Sequence, residues 1–152
     1  MKPLRVGFLG FGMIGKVHAY GYINLPMYYA PPPVRAELTH VCTSRQATAE
    51  AGAAMIGAPR AVTDWREVTE DPDVDAVHIC TPNYLHKDQL LSAIRNGKHI
   101  YCEKPLVATM GEADQIASAL DGYGGTAQMT LQNRCFPAAM RATALLGEGC
   151  CR

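Results

Sequence analysis

Residues 4–18, Leu4-Arg5-Val6-Gly7-Phe8-Leu9-Gly10-Phe11-Gly12-Met13-Ile14-Gly15-Lys16-Val17-His18, constrain the fold more than any other stretch of the chain. Leu4 to Leu9 read as a short buried strand. Gly10, Gly12 and Gly15 form a G-x-G-x-x-G turn directly after it, and a helix with Ile14, Val17 and Gly21 on one face is expected to follow. Each glycine has its own physical task. The first permits the tight strand-to-helix turn, the second lets a pyrophosphate approach the backbone, and the third brings the helix close to the sheet. The N-terminus of such a helix then offers free N–H groups and a positive dipole end to phosphates. Strand, turn and helix in immediate succession point to a dinucleotide site rather than a merely structural turn.

The remaining chain supports that reading by alternation. Strands are expected at residues 35–42, 61–63, 74–80, 98–102 and 127–131. Helices are expected at 13–24, 46–56, 65–69, from Thr81 to about Asn96, 110–120 and 137–146. Alternating strands and helices build βαβ units with a parallel sheet and right-handed crossovers, so the expected fold is one doubly wound α/β domain. Helix ends follow their local signals. Gly57 to Pro59 stop the second helix, and Gly97 stands where a C-terminal cap belongs. In the fourth helix Leu90, Leu91 and Ile94 share one face, and in the fifth Ala113, Ile116, Ala117 and Leu120 are expected inside. Residues 25–33 hold four prolines and read as a surface loop outside any helix. Its Met27, Tyr28 and Tyr29 are expected to pin the loop by packing, with a partner-facing patch as the alternative.

Composition excludes several other classes. The 152 residues carry zero formal net charge, 18% charged and 48% hydrophobic residues, which gives no electrostatic case for nucleic acid or an anionic membrane as partner. No apolar run approaches the ~18 residues of a membrane helix, and the glycines at 7, 10 and 12 interrupt any signal-peptide pattern. The expectation is a cytoplasmic protein. Six cysteines form no C-x-x-C and the five histidines show no ligand spacing, so reduced thiols and no metal site are expected. The Cys150-Cys151 pair falls in a tail, residues 150–152.

In an open parallel sheet, ligands sit beyond the carboxyl ends of the strands. Those ends carry Gly10-Phe11-Gly12, Thr43-Ser44-Arg45, Thr81-Pro82-Asn83, Glu103-Lys104-Pro105 and Gln132-Asn133-Arg134. The second of these bears on the cofactor. A carboxylate there would bond a ribose 2′-hydroxyl, whereas Ser44 and Arg45 suit a 2′-phosphate, which favours NADP over NAD. Thr43 with Gln46 also matches a capping box, which would explain Thr43 without a ligand. Lys104 is the side chain suited to carbonyl reduction or alcohol oxidation, because a hydride moving to or from the carbon leaves an alkoxide-like oxygen that needs a proton partner or a cation. Its alternative is pairing with Glu103 or a phosphate, without chemistry.

Taken together, the glycine turn, Asp73-Val74-Asp75-Ala76-Val77, T-P-N-x-x-H ending at His86, G-K-H-I-x-C-E-K-P at 97–105 and N-R-x-F-P-A at 133–138 resemble one family. The chain is similar, over residues 4–149, to the N-terminal domain of the Gfo/Idh/MocA (glucose–fructose oxidoreductase / inositol dehydrogenase) family. The resemblance implies an NAD(P)-binding Rossmann domain and hydride transfer on CH–OH groups of sugars or cyclitols. It implies that Gly10, Gly12, Met13, Ile14 and Gly15 line the pyrophosphate turn and that Ser44 and Arg45 face the adenosine ribose. Thr81, Pro82, Asn83 and His86 would flank the middle of the cofactor. Glu103 would position the nicotinamide, Lys104 would bond the reacting oxygen, often across a cis proline peptide, and Asn133 and Arg134 would bind the cofactor in the stretch that leads toward the substrate domain. Family members continue for about another 100–150 residues into a substrate domain that completes the catalytic set and commonly makes the oligomer interface. The expectation is therefore a cofactor domain at 1–149 with that domain absent. A sugar or cyclitol would be a partner only where a substrate domain is supplied. A catalytically incomplete dinucleotide-binding module and a fragment that self-associates through uncovered apolar surface, as a homo-oligomer, are the alternatives.

Overall fold

Val6, Phe8 and Leu9 are fully buried because the strand that carries them, β1 (Leu4–Leu9), lies in the middle of the sheet. The computed structural model describes residues 2–149. Parallel strands β2 (Ala36–Cys42) and β3 (Arg60–Val62) extend the sheet from one side of β1. β4 (Ala76–Ile79), β5 (His99–Cys102) and β6 (Ala127–Met129) extend it from the other. The order is β3-β2-β1-β4-β5-β6. Succession reverses direction between β1 and β4, and a crevice opens at such a switch point because the crossovers on either side diverge.

Period-two alternation along β1 divides the core. Val6 and Phe8 face α1 (Met13–Tyr28) and α2 (Gln46–Ile56), meeting Ala19, Val41 and Ala53. Leu9 faces the other way, with Val68 of α3 (Arg66–Thr69), Leu90 and Ile94 of α4 (His86–Arg95), and Ile116 of α5 (Met110–Ala119). Gly7 shares this second face, where an added Cβ would lie within 2.4 Å of a Val68 methyl carbon, so no larger residue fits. The sixth helix, α6 (Pro137–Gly147), buries no residue and leaves Met140 and Leu146 exposed. Among the described residues, no helix is long and apolar enough to cross a membrane, and no cluster of His, Cys, Asp or Glu could hold a metal ion.

The expected doubly wound α/β domain is found, with differences that have physical causes. α1 does not stop at Asn24 but runs to Tyr28 with Pro26 inside it. A proline in the last turn removes a single N–H, and the helix still closes through Tyr29 N–H to the Leu25 carbonyl at 3.1 Å. Its buried face is Gly15 and Ala19, with Tyr22 half-buried, whereas Ile14, Val17 and Gly21 are exposed. Met27, Tyr28 and Tyr29 are exposed as well, so they do not pin the loop by packing. A short 3-10 turn, Asn83–Leu85, precedes α4, and another, Gln132–Cys135, follows β6 where strand was expected to reach Leu131. In α5 only Ile116 is buried. Ala113 is half-buried, and Ala117 and Leu120 are exposed. Thr109 caps α5 with a complete capping box to Glu112. Gly57 and Gly97 take positive φ (69° and 64°) at the ends of α2 and α4, as their positions predict. Cys42 and Cys102 are buried, Cys80 is half-buried, Cys135 is exposed, and all four are free thiols. Cys150 and Cys151 lie outside the described residues.

Candidate functional site

A cleft of about 480 Å³ opens at the switch point between β1 and β4. Gly10, Phe11 and Gly12 form its floor, Cys42, Thr43, Ser44 and Thr48 one wall, and Cys80, Thr81 and Pro82 the other. Gly10 adopts φ +84°, a conformation in which only glycine is unstrained. A Cβ at Gly12 would meet nothing within 4 Å, so the backbone there lies open to the cleft. At Gly15 a Cβ would sit 2.6 Å from the Gly10 carbonyl oxygen, which shows how closely α1 approaches the turn. No side chain caps the N-terminus of α1, and its first turn has no acidic residue. Uncapped N–H groups, a bare glycine backbone and a positive helix end fit a pyrophosphate without rearrangement. Met13 and Ile14, at the start of α1, are exposed beside this turn.

The Thr43 wall differs from the expected capping box. Arg45, not Thr43, is the N-cap of α2, and no side chain caps the helix. Thr43 Oγ1 instead donates to the Arg45 carbonyl at 2.9 Å and lies 2.6 Å from Thr48 Oγ1. These bonds fold the loop back and leave Ser44 and Arg45 exposed; Ser44 lines the cleft, and Arg45, at the start of α2, lies outside its lining. Asp64, a carboxylate at the end of the next strand, is engaged by Arg66 at 3.2 Å.

On the opposite wall Thr81 Oγ1 donates to Gln89 Oε1 at 2.6 Å. His86 does not reach the cleft. It is 1% exposed, with Nε2 2.8 Å from the Thr81 carbonyl and Nδ1 3.0 Å from the Pro105 carbonyl, and so ties two strand-end loops together. Asn83 lies in the 3-10 turn at the head of α4, outside the cleft lining. Trp65, Tyr84, Leu85 and Gln89 also line the cleft and carry no expected role from sequence. Trp65 follows β3, so inspecting that strand's carboxyl end by the same rule would have found it.

A second hollow of about 450 Å³ lies beyond β5 and β6, lined by Lys104, Thr130, Leu131, Gln132, Asn133 and Arg134. The expected residues therefore divide between two neighbouring places. Glu103 is buried, and it pairs through Oε1 with His18 Nε2 at 3.1 Å rather than with Lys104. Its Oε2 accepts the backbone N–H of Lys104 at 3.2 Å. The Lys104 side chain is exposed and joins no ion pair among the described residues, and the Lys104–Pro105 peptide is cis. Burial pushes the Cys80 and Cys102 thiols up to about 12, with the Glu103 charge adding to the effect, so neither is a nucleophile at neutral pH.

Comparison with known proteins decides the family. The model of an oxidoreductase family with an NAD-binding Rossmann fold, GFO_IDH_MocA, matches residues 4–131. The chain belongs to the Gfo/Idh/MocA oxidoreductase family. A levoglucosan dehydrogenase of Pseudarthrobacter phenanthrenivorans is 33% identical over 149 residues, 98% of this chain and 38% of the relative. A solved levoglucosan dehydrogenase in complex with NADH and levoglucosan superposes with a TM-score of 0.91 at 32% identity, over 97% of this chain and 40% of that one. A Bacillus subtilis scyllo-inositol 2-dehydrogenase named for NADP(+) is 31% identical over 82% of this chain and 32% of its own length. The chain thus spans about two fifths or less of the relatives it matches, and its glycine turn and E-K-P loop fall within the shared Gfo/Idh/MocA part. Nicotinamide dinucleotides of both kinds occur among these relatives.

Proposed function

We propose that this Gfo/Idh/MocA chain is the cofactor-binding domain, residues 1–149, of an NAD(P)-dependent oxidoreductase that transfers hydride at CH–OH groups of sugars or cyclitols. The observation that carries the reading is the open Gly12 backbone at the uncapped end of α1, facing Thr81 and Pro82 across the switch-point cleft. Gly10, Gly12 and the first N–H groups of α1, at Met13 and Ile14, hold the pyrophosphate. Gly15 keeps the helix close enough for them to do so. Ser44 and Arg45 take the adenosine ribose, and their donors with no carboxylate beside them favour NADP over NAD. Thr81, Pro82 and Asn83 flank the middle of the cofactor. When bound, a nicotinamide dinucleotide would supply or accept the hydride. Lys104 faces the second hollow with a free ammonium that can hold the reacting oxygen and exchange its proton, while Asn133 and Arg134 line the substrate side.

Substrate contacts and the remainder of the catalytic set belong to the further domain that the longer relatives carry. The uncovered Phe136, Met140 and Leu146 mark where such a domain, on this chain or another, would pack. Fluorescence titration with NADPH and NADH tests the reading. Saturable binding below millimolar affinity is expected, and no binding of either dinucleotide overturns it. If dinucleotide binds, Lys104→Ala leaves binding intact, and no sugar or cyclitol is oxidised, the chain acts by itself as a binding module.

A further inference from the structure

Behind the E-K-P turn, four polar side chains line up through the buried face of α1. Tyr22 Oη lies 2.8 Å from His78 Nε2, His78 Nδ1 lies 3.0 Å from His18 Nδ1, and His18 Nε2 lies 3.1 Å from Glu103 Oε1. The donors follow by elimination. A carboxylate oxygen accepts, so His18 Nε2 carries the proton and its Nδ1 is a lone pair in the neutral ring. His78 Nδ1 faces that lone pair and must therefore donate, which leaves His78 Nε2 to accept from the Tyr22 hydroxyl. The reverse order would set two lone pairs against each other at 3.0 Å. Cys80 Sγ, at 3.4 Å from His18 Nδ1, is a second, weaker donor to the same atom.

We infer that Tyr22, His78 and His18 form a one-directional hydrogen-bond chain that locks the Glu103 carboxylate, which makes both histidines positioning residues for the turn that carries Lys104. With Oε1 taken by His18 and Oε2 by the Lys104 N–H, the carboxylate cannot swing out to neutralise the Lys104 ammonium. The importance of that orientation for the nicotinamide rests on the functional reading above. The surroundings keep the chain in its neutral form. The Phe8 and Tyr101 rings pack, tilted, against His78 with centroids at 5.1 Å, and Tyr101 also lies 5.3 Å from His18. Burial lowers the proton affinity of His18 against the opposing pull of Glu103, and burial with the neighbouring His18 brings His78 down to about 3.

Imidazole ¹⁵N–¹H correlation spectra of the chain at neutral pH read the tautomers directly. His78 is expected with its proton on Nδ1 and His18 with its proton on Nε2. The opposite tautomer in either ring, or a charged ring, overturns the inference. Tyr22→Phe, which deletes one hydroxyl, should leave the His78 proton on Nδ1, where His18 still holds it, and move the His78 Nε2 nitrogen resonance toward that of a lone pair without a donor; a proton on Nε2, or an unmoved Nε2 resonance, overturns the inference. His18→Leu should speed hydrogen exchange at the Lys104 amide by about tenfold, the equivalent of one lost hydrogen bond. His18→Gln, which returns a donor near the Nε2 position, should restore most of the protection, and equal exchange in both variants and the native chain overturns the inference. None of these readouts needs a dinucleotide, so failure of cofactor binding overturns the functional reading alone.

Discussion

Gly10 and Cys80 meet backbone to backbone: a Cβ built on Gly10 would lie 2.7 Å from the Cys80 carbonyl oxygen. Two crossovers that leave the sheet in opposite directions converge at this contact, and it has no room for a side chain. Gly10→Ala combines a positive-φ strain of about 1–3 kcal/mol with overpacking of a similar size. Its thermal midpoint should fall clearly below that of the native chain. Gly12→Ala meets open space and should unfold near the native midpoint while losing dinucleotide binding. Equal stability losses in the two variants, measured by calorimetry, would contradict this division of roles.

Arg45 is exposed beside Ser44, and among the described residues it joins no ion pair, so its guanidinium could hold a 2′-phosphate in a charge-assisted pair. Arg45→Asp should weaken NADPH by roughly tenfold or more, the scale of one lost charge-assisted bond, and NADH by much less. Parallel titrations decide the point, because equal weakening of both cofactors removes the 2′-phosphate assignment.

Thr81 Oγ1 and Gln89 Oε1 hold the β4 wall of the cleft at 2.6 Å. Thr81→Val keeps the shape but leaves a buried acceptor unpaired, which costs about 1–3 kcal/mol. Urea denaturation should show that loss. The double variant with Gln89→Leu should recover part of it, because neither partner is then left wanting.

Acid should weaken the fold earlier than carboxylate protonation alone would. His78 is held to about 3, against an ordinary value of 6.5, so the unfolded chain takes up a proton that the native chain refuses. Stability is therefore full above about pH 6.5 and falls as pH drops toward 3, by about 1.4 kcal/mol per unit for this one group. His18 and His40 are lowered in the same direction by burial. Denaturation midpoints measured from pH 8 to 4 should bend downward near 6.5, and His78→Phe should flatten the bend.

Much of this molecule was legible because its signals are local. Six strands stand where short apolar runs meet glycine or proline punctuation, and Gly57 and Gly97 end α2 and α4 because a left-handed cap needs a residue without a Cβ. The errors fall where distant parts of the chain decide. Ile14 and Val17 are large apolar residues in the first turns of α1, yet the helix buries Gly15 and Ala19 because it must come within contact of the Gly10 carbonyl, where only small residues fit. Thr43 and Gln46 have capping-box spacing, yet Thr43 turns to Thr48 and the Arg45 carbonyl once β2 hands the loop to α2.

The sequence by itself determined the parallel α/β architecture, the glycine turn and the set of polar strand ends, since these depend on backbone freedom and hydrophobic period over neighbouring residues. The tertiary structure alone decided which strand ends share a cleft, that His86 is sealed between two loops, and that Glu103 answers to His18 rather than to Lys104. His18 stands 60 positions from His78 and 85 from Glu103 along the chain, and it carries no mark of either until the fold brings them to 3.0 and 3.1 Å from its ring.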